Sequence, residues 1–179
     1  MSGTNTTGKI THVWISSKAL RTILEAVGPD RREEPCGLLL GYRVPMGAEV
    51  IEAVAVPNSH PSPQRAFAME PEALVVAGRA GRAQGLDIVG FWHGHVAGPA
   101  WPGALDEEGM RIVRGDGLPQ QVHIVAGRGS TGRRIVRAFR EGRHRPKRVM
   151  LQLLKRARGS ARPAPTALRQ GAGPSAAQA

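Results

Sequence analysis

Two periodicities of apolar residues alternate along the first 140 or so residues. Short runs of β-branched and aromatic residues, bounded by Gly, Pro, Asn or Ser, predict strands, and apolar residues spaced three and four apart predict helices. Such interleaving favours a single domain of α/β (or α+β) class, a mixed β-sheet flanked by helices. The predicted strands cover 10–15, 36–42, 49–56, 66–69, 86–92, 121–126 and 133–139, and the predicted helices cover 17–27, 71–84 and 104–114.

Candidate chemistry follows the strand predicted at 86–92, which leads into His93-Gly94-His95. Residues two apart on a strand point to the same face, so the two imidazoles would face one point. Asp106 lies in the first turn of the third predicted helix, where the helix dipole favours an ionised carboxylate. Two neutral imidazoles and a carboxylate, with a fourth position left for water, form a common catalytic zinc set. Two solvated histidines beside a turn are the alternative, and the spacing of Asp106 favours the metal site.

A second motif lies upstream, where Glu33 and Glu34 lead directly into an apolar strand bounded by glycines. The pattern Glu-x-x-Gly-Leu-x-x-Gly, then His-x-His, then the spaced Asp resembles the JAMM (MPN+) metalloprotease family, most closely its prokaryotic branch. The resemblance covers about residues 10–139. It implies a JAMM/MPN-like domain with a cytidine-deaminase-like architecture.

The resemblance also implies roles for individual residues. His93, His95 and Asp106 match the ligands of Zn²⁺, and Glu34 matches the general base, with Glu33 as the alternative. Segments such as Val56-Pro57-Asn58 also resemble the family, and Asn58 is a candidate for the substrate rim. Trp101 is a second candidate, because its loop joins two of the ligands. A core plug is the alternative for Trp101.

The implied activity is that of a zinc-dependent peptidase or isopeptidase. Its substrate would be an amide bond at the C-terminal tail of a ubiquitin-like or sulfur-carrier protein. The chain departs from the family at His93-Gly94-His95-Val96, where His-Ser-His-Pro is usual. It departs again at Gly103, where the family has a serine thought to hydrogen-bond the oxyanion. The alternative function is therefore a catalytically impaired protein-binding module with the same fold.

Other reactive residues have simpler explanations. Cys36 lies in an apolar strand, where a free cysteine behaves as a small buried hydrophobe rather than as a nucleophile. His60 and His123 have no companions at ligand spacing, so His60 is predicted to be solvated or at the substrate edge, and His123 to be structural. A zinc deaminase would need a Pro-Cys-x-x-Cys motif, which a chain with one cysteine excludes.

Length and composition set the outer limits. The chain of 179 residues suffices for one domain, and with 4% aromatic residues its core must consist mainly of Val, Leu, Ile and Ala. No apolar run approaches the roughly 20 residues of a membrane span, and no signal peptide is apparent at the N-terminus. The single cysteine fits a reducing cytoplasmic location.

The net charge of +11 is concentrated at the C-terminal end. Nine of the 25 Lys and Arg residues, and none of the 14 acidic ones, lie in residues 143–179. We therefore expect a disordered segment at 1–8, a nearly neutral catalytic domain at 9–142, and a basic, largely disordered tail at 143–179. A short amphipathic helix is predicted at 147–156. The tail could bind an acidic partner or a polyanion, or its helix could dock on the domain.

Overall fold

In the computed structural model of the protein, residues 9–28, 32–115 and 121–155 are described, without the side chains of 111–115. This part of the chain contains seven strands and three helices in a single domain. The disorder predicted for residues 1–8 and for the end of the tail falls outside the described residues. The elements are β1 His12–Ile15, α1 Ser17–Ala26, β2 Cys36–Val44, β3 Gly47–Val56, α2 Pro71–Ala83, β4 Asp87–Gly94, α3 Ala104–Gly115, β5 Val122–Arg128, β6 Arg134–Arg140 and β7 Lys147–Leu153.

The strands form one mixed sheet in the order β1-β3-β2-β4-β5-β6-β7. The predicted mixed sheet with helices is confirmed, but the sheet is a closed barrel rather than an open layer, because β7 pairs in parallel with β1. The parallel pairs are β1 with β3, β1 with β7 and β4 with β5, and the remaining pairs are antiparallel. Closure satisfies the backbone groups that an edge strand would leave unpaired.

The helix predicted at 147–156 is wrong, because this segment forms β7. Val149 is buried and Leu151 is half-buried, whereas Met150 and Gln152 between and beside them are exposed. That alternation matches the two-residue repeat of a strand. The N–H of Met150 donates to the carbonyl of Thr11, so the strand completes the hydrogen bonding of β1.

Two hydrophobic clusters hold the barrel and its helices together. The first joins the barrel interior to α1, whose Ile23 is fully buried and whose N-terminus is capped by Ser16. The second packs α2 against the outer face of β2, β3 and β4, with Leu40 and Ala77 at its centre. The strand predicted at 66–69 is absent, since this segment makes one isolated bridge to the loop that follows β3. None of the described helices is long and apolar enough to cross a bilayer.

Candidate metal centre

The strand β4 presents the two histidines of the His-Gly-His motif at its C-terminal end. His93 pairs with Cys36 of β2 on one side and with Val125 of β5 on the other, so it lies in the middle of the sheet. Its side chain is completely buried. His95 follows just after β4 and is held by a hydrogen bond from its N–H to the carbonyl of Ala126. The sheet thus fixes both imidazoles on one face, as the spacing predicts.

Asp106 reaches the same point from the first turn of α3. The helix begins after Gly103, whose carbonyl accepts the N–H of Glu107 and whose N–H donates to Oδ2 of Asp106 at 2.7 Å. This is one half of a capping box, in which the third residue of a helix binds back to the residue that caps it. The bond fixes the rotamer of Asp106 and aims its carboxylate at the two histidines.

The three side chains form a compact donor cluster. Nε2 of His93 lies 3.1 Å from Nε2 of His95 and 3.3 Å from Oδ1 of Asp106. Nε2 of His95 lies 3.3 Å from Oδ2 of Asp106. One ligand atom from each of the three residues can be chosen so that all three lie within 4.8 Å of one another. The residues that the sequence predicts as metal ligands are therefore brought together by the fold.

The tautomer of His95 is determined by its second ring nitrogen. Nδ1 lies 2.7 Å from the carbonyl oxygen of Pro99, and because a carbonyl can only accept, Nδ1 carries a proton. In neutral His95 the lone pair is then on Nε2, the atom that faces His93 and Asp106. The loop that supplies Pro99 is itself fixed, since the N–H of Arg128 donates to the carbonyl of Gly98 at 2.9 Å.

Burial and hydrogen bonding set the charges of the cluster. Burial lowers the pKa of His93 below its ordinary value. Burial acts in the same direction on His95, but hydrogen bonds to Asp106 and to the Pro99 carbonyl raise its pKa overall. Burial opposes ionisation of Asp106, yet its contacts with both imidazoles and the bond from the Gly103 N–H hold its pKa far below the usual range. An ionised carboxylate beside a buried neutral imidazole suits a divalent cation.

Glu34 lies two residues before the start of β2, the strand next to β4. Cys36 pairs with His93, and the N–H of Gly94 donates to the carbonyl of Pro35, so the antiparallel register sets Glu34 opposite His95. The residue is only 6% exposed. Burial is the main reason that the pKa of its carboxyl rises from 4.5 to about 7; His95 acts to lower this pKa and Asp106 acts to raise it. These interactions place the carboxyl beside the cluster.

Asn58 holds the backbone of Glu34 in position. Its Nδ2 donates to the carbonyls of Glu34 and Ala66, both at 3.0 Å. Its Oδ1 accepts the N–H groups of His60 and Ala68, also at 3.0 Å. The amide is thus bonded to the surrounding backbone on both sides, an arrangement that fits a loop-fixing role. A place on the substrate rim remains a prediction for this residue.

Two neighbours of His93 are not predicted by the sequence to contact it, namely His123, which is predicted to be structural, and Phe67. Nε2 of His123 on β5 lies 3.0 Å from Nδ1 of His93, and both rings are buried. Burial, followed by the charge of His93, lowers the pKa of His123 to about 3. The ring of Phe67 stacks on His93 with centroids 4.5 Å apart. No local spacing signals either contact, because β5 and the loop after β3 are distant in sequence.

Trp101 stands at the surface beside the cluster. Its side chain is 46% exposed and belongs to the loop between His95 and Asp106. The guanidinium of Arg137 lies 4.9 Å from its ring centroid, and the buried ring of Phe139 lies 5.4 Å away. This half-exposed position excludes a core plug. One face of the indole is therefore supported by β6 while the rest is available at the surface.

The remaining candidate residues, Glu33, Cys36 and His60, differ in how deeply they are buried. Glu33 is exposed, whereas Glu34 is buried at the cluster. Cys36 is buried, and burial together with the charge of Glu34 raises the pKa of its thiol to about 12. A thiol with such a pKa stays protonated and is a poor nucleophile, which agrees with the structural role predicted for it. His60 lies in a loop, where its Nδ1 accepts the N–H of Ser62.

Comparisons with known proteins identify relatives by sequence. A probable TtuB-protein conjugate cleaving protease of Thermus thermophilus is 38% identical over 74 residues, 41% of this chain and 47% of that protein. A desampylase of Pyrococcus furiosus is 34% identical over 92 residues, 51% of this chain and 61% of that protein. The chain spans between about half and three fifths of the length of these relatives.

Solved structures share the fold at low sequence identity. A protein of Desulfitobacterium hafniense superimposes with a TM-score of 0.67 at 22% identity, covering 82% of this chain and 95% of that one. A protein of Salinibacter ruber gives a TM-score of 0.56 at 20% identity, covering 80% and 92%. The sequence also matches the family of prokaryotic homologs of the JAB domain over residues 16–140, well over half of the chain. The chain therefore belongs to the prokaryotic JAB-domain family, in agreement with the JAMM resemblance of its motifs.

Proposed function

We propose that the protein is a zinc-dependent hydrolase that cleaves a peptide or isopeptide bond at the C-terminal tail of a ubiquitin-like or sulfur-carrier protein. The observation that carries the proposal is the convergence of His93, His95 and Asp106 with Glu34 at one buried point. Family membership and the functions given for the two relatives support the same class of reaction.

The donor set fits zinc. Two imidazole nitrogens and one carboxylate oxygen are a common protein contribution to a catalytic zinc site, which leaves one position free. Nδ1 of His95 is tied to Pro99, so its Nε2 has a free lone pair, and burial keeps His93 neutral. A zinc ion held by these residues would supply positive charge that acidifies water and polarises a carbonyl oxygen.

Glu34 would act as the general base. Its carboxylate accepts a proton from the water that attacks the amide carbon, and it passes this proton to the leaving nitrogen as the C–N bond breaks. A base works best when its pKa is near the working pH, and burial raises the pKa of Glu34 to about 7. Two hydrogen bonds fix the backbone of Glu34. Its carbonyl accepts from Nδ2 of Asn58, and its N–H donates to the carbonyl of Pro63.

The functions given for the two relatives support the proposed substrate class. A glycine-rich tail offers an extended backbone with little side-chain bulk, which suits a site whose ligands lie at the end of a strand. Trp101 would line the rim, because its half-exposed ring is braced by Arg137 next to the ligand-bearing loop. Extended peptide backbone packs well against such a rigid aromatic surface.

Gly103 favours the alternative of a binding module without hydrolytic activity. It has no side chain to stabilise an oxyanion, and its N–H is already used by Asp106. Retention of the three ligand residues and Glu34 argues for hydrolysis, because a module that only binds would not need a buried carboxyl with a raised pKa. We therefore expect a complete but slow active site.

The test combines metal analysis with cleavage. Wild-type protein should bind about one zinc ion per chain, and it should cleave a ubiquitin-like protein fused through a C-terminal diglycine to a reporter. Asp106→Ala should lose both properties, whereas Glu34→Gln should keep zinc but lose cleavage by about 10² or more. Glu33→Gln is the matched control and should behave as wild type. Zinc binding without any cleavage by wild type would support the binding module.

A further inference from the structure

We propose that His123 is a positioning residue of the metal centre, which accepts a hydrogen bond from Nδ1 of His93 and so directs the lone pair of Nε2 towards the metal. The proposal rests on the zinc site put forward above. It assigns a role to a histidine that neither the motifs nor the spacing of ligands singles out.

The argument begins with the two nitrogens of His93. Nε2 faces the cluster, 3.3 Å from Oδ1 of Asp106 and 3.1 Å from Nε2 of His95. Nδ1 faces away, 3.0 Å from Nε2 of His123. A ligating nitrogen must offer a lone pair, and a neutral imidazole has one protonated nitrogen. The proton of His93 therefore belongs on Nδ1, and His123 is the acceptor for it.

The other histidine of the cluster follows the same rule. Nδ1 of His95 donates to the Pro99 carbonyl at 2.7 Å, which leaves its Nε2 free to bind a cation. Each ligand imidazole thus has one partner behind it, a carbonyl for His95 and an imidazole for His93. Partners of this kind orient metal-binding histidines, and their loss typically weakens metal affinity by about 10- to 100-fold.

The surroundings keep His123 in the accepting form. The residue is 6% exposed and lies on β5, where it pairs with Phe91 of the adjacent parallel strand. Phe67 stacks on His93 and meets His123 edge-on, with centroids 6.2 Å apart. Both rings are therefore shielded by apolar groups. A buried imidazole that accepts a hydrogen bond here must be neutral, with its own proton on Nδ1.

The experiment compares two substitutions at the same position. His123→Gln places an amide oxygen close to the position of Nε2 and can still accept the hydrogen bond, whereas His123→Leu fills similar space without an acceptor. The control is Ile124→Val, a neighbour on β5 whose fully buried side chain belongs to the barrel core. Zinc affinity is measured by competition with a chromophoric chelator, unfolding is followed in metal-free protein, and Co²⁺ spectra report ligand geometry.

We expect His123→Leu to bind zinc about 10- to 100-fold more weakly and His123→Gln to stay within about threefold of wild type. Ile124→Val should lose some stability but no affinity. The proposal would be overturned if His123→Leu bound zinc as tightly as wild type, or if His123→Gln lost as much zinc affinity as His123→Leu. If the Leu variant does not fold, His123→Asn replaces it, because its shorter amide cannot reach the Nε2 position. Equal zinc binding by wild type and Asp106→Ala would instead refute the metal site itself.

Discussion

Replacing Glu34 by Gln should stabilise the metal-free protein, and the gain should grow as the pH rises. Burial raises the pKa of this carboxyl from 4.5 to about 7 in the folded state. Between these two values the folded protein holds a proton that the unfolded chain has released, so the free energy of unfolding falls as the pH increases. Glutamine is neutral at every pH and carries no such penalty.

The size of the effect follows from the same two values. Each pKa unit corresponds to about 1.4 kcal/mol, so the rise from 4.5 to about 7 sets an upper limit of about 3 kcal/mol above pH 7. Relaxation and water entry around the ionised carboxylate reduce this, and we expect a gain of about 2 kcal/mol at pH 8. At pH 5 the folded wild type is protonated at Glu34 while the unfolded chain is mostly ionised there, and the two proteins should differ by about 0.8 kcal/mol.

The assay is urea unfolding of chelator-treated protein at pH 5, 6, 7 and 8. Glu33→Gln serves as the control, because Glu33 is exposed and should show the same pH dependence as wild type. His95, whose pKa is raised, is present in all three proteins, so their difference reports mainly on Glu34. Parallel stability curves for wild type and Glu34→Gln would refute the reasoning. The stabilised variant should be the inactive one, a trade of stability for function.

Three further predictions concern the scaffold of the site. Gly103→Ser should raise the turnover number at unchanged zinc content, because an oxyanion donor is worth about 10²–10³ in rate. The added Cβ has room, since the nearest side-chain atom lies 3.6 Å away. An equal or lower turnover number would argue for another oxyanion donor. Gly127→Ala should weaken zinc binding, since its Cβ would lie 2.6 Å from a backbone oxygen of the loop that carries Pro99; unchanged affinity in a chelator competition would contradict this. Removal of residues 156–179 should preserve the melting transition followed by circular dichroism. Removal of residues 143–179 should abolish this transition, because it takes away β7.

The juxtaposition of the three candidate ligands was predictable because local rules decide it. Two histidines on a strand share a face, and Asp106 lies where a helix begins, so spacing alone indicates that they converge. The position of Glu34 could be inferred only from the family resemblance, since its place opposite His95 depends on the register between β2 and β4. The sequence could not say how deeply the carboxyl is buried, and burial is what raises its pKa.

The errors have a common physical cause. The apolar residues from Val149 to Leu154 fit a short helix and a strand almost equally well, and pairing with β1 decides between them. The contact of His123 with His93 was likewise not predictable from local spacing, because it is made between neighbouring parallel strands by residues 30 positions apart. Local patterns predict elements, whereas contacts made across the sheet determine which side chains meet.

The pairing of β1 with β7 has a consequence for the order of events during synthesis. His12 pairs with Met150, so the second side of β1 stays uncovered until β7, far along the chain, has been synthesised. Contacts between residues so far apart in sequence form slowly, because the chain between them loses conformational entropy before the contacts add any stability. Until then β1 offers an exposed edge to which other nascent chains can add. Barrel closure should therefore be a late step of folding, and until it occurs β1 is open to unwanted strand addition.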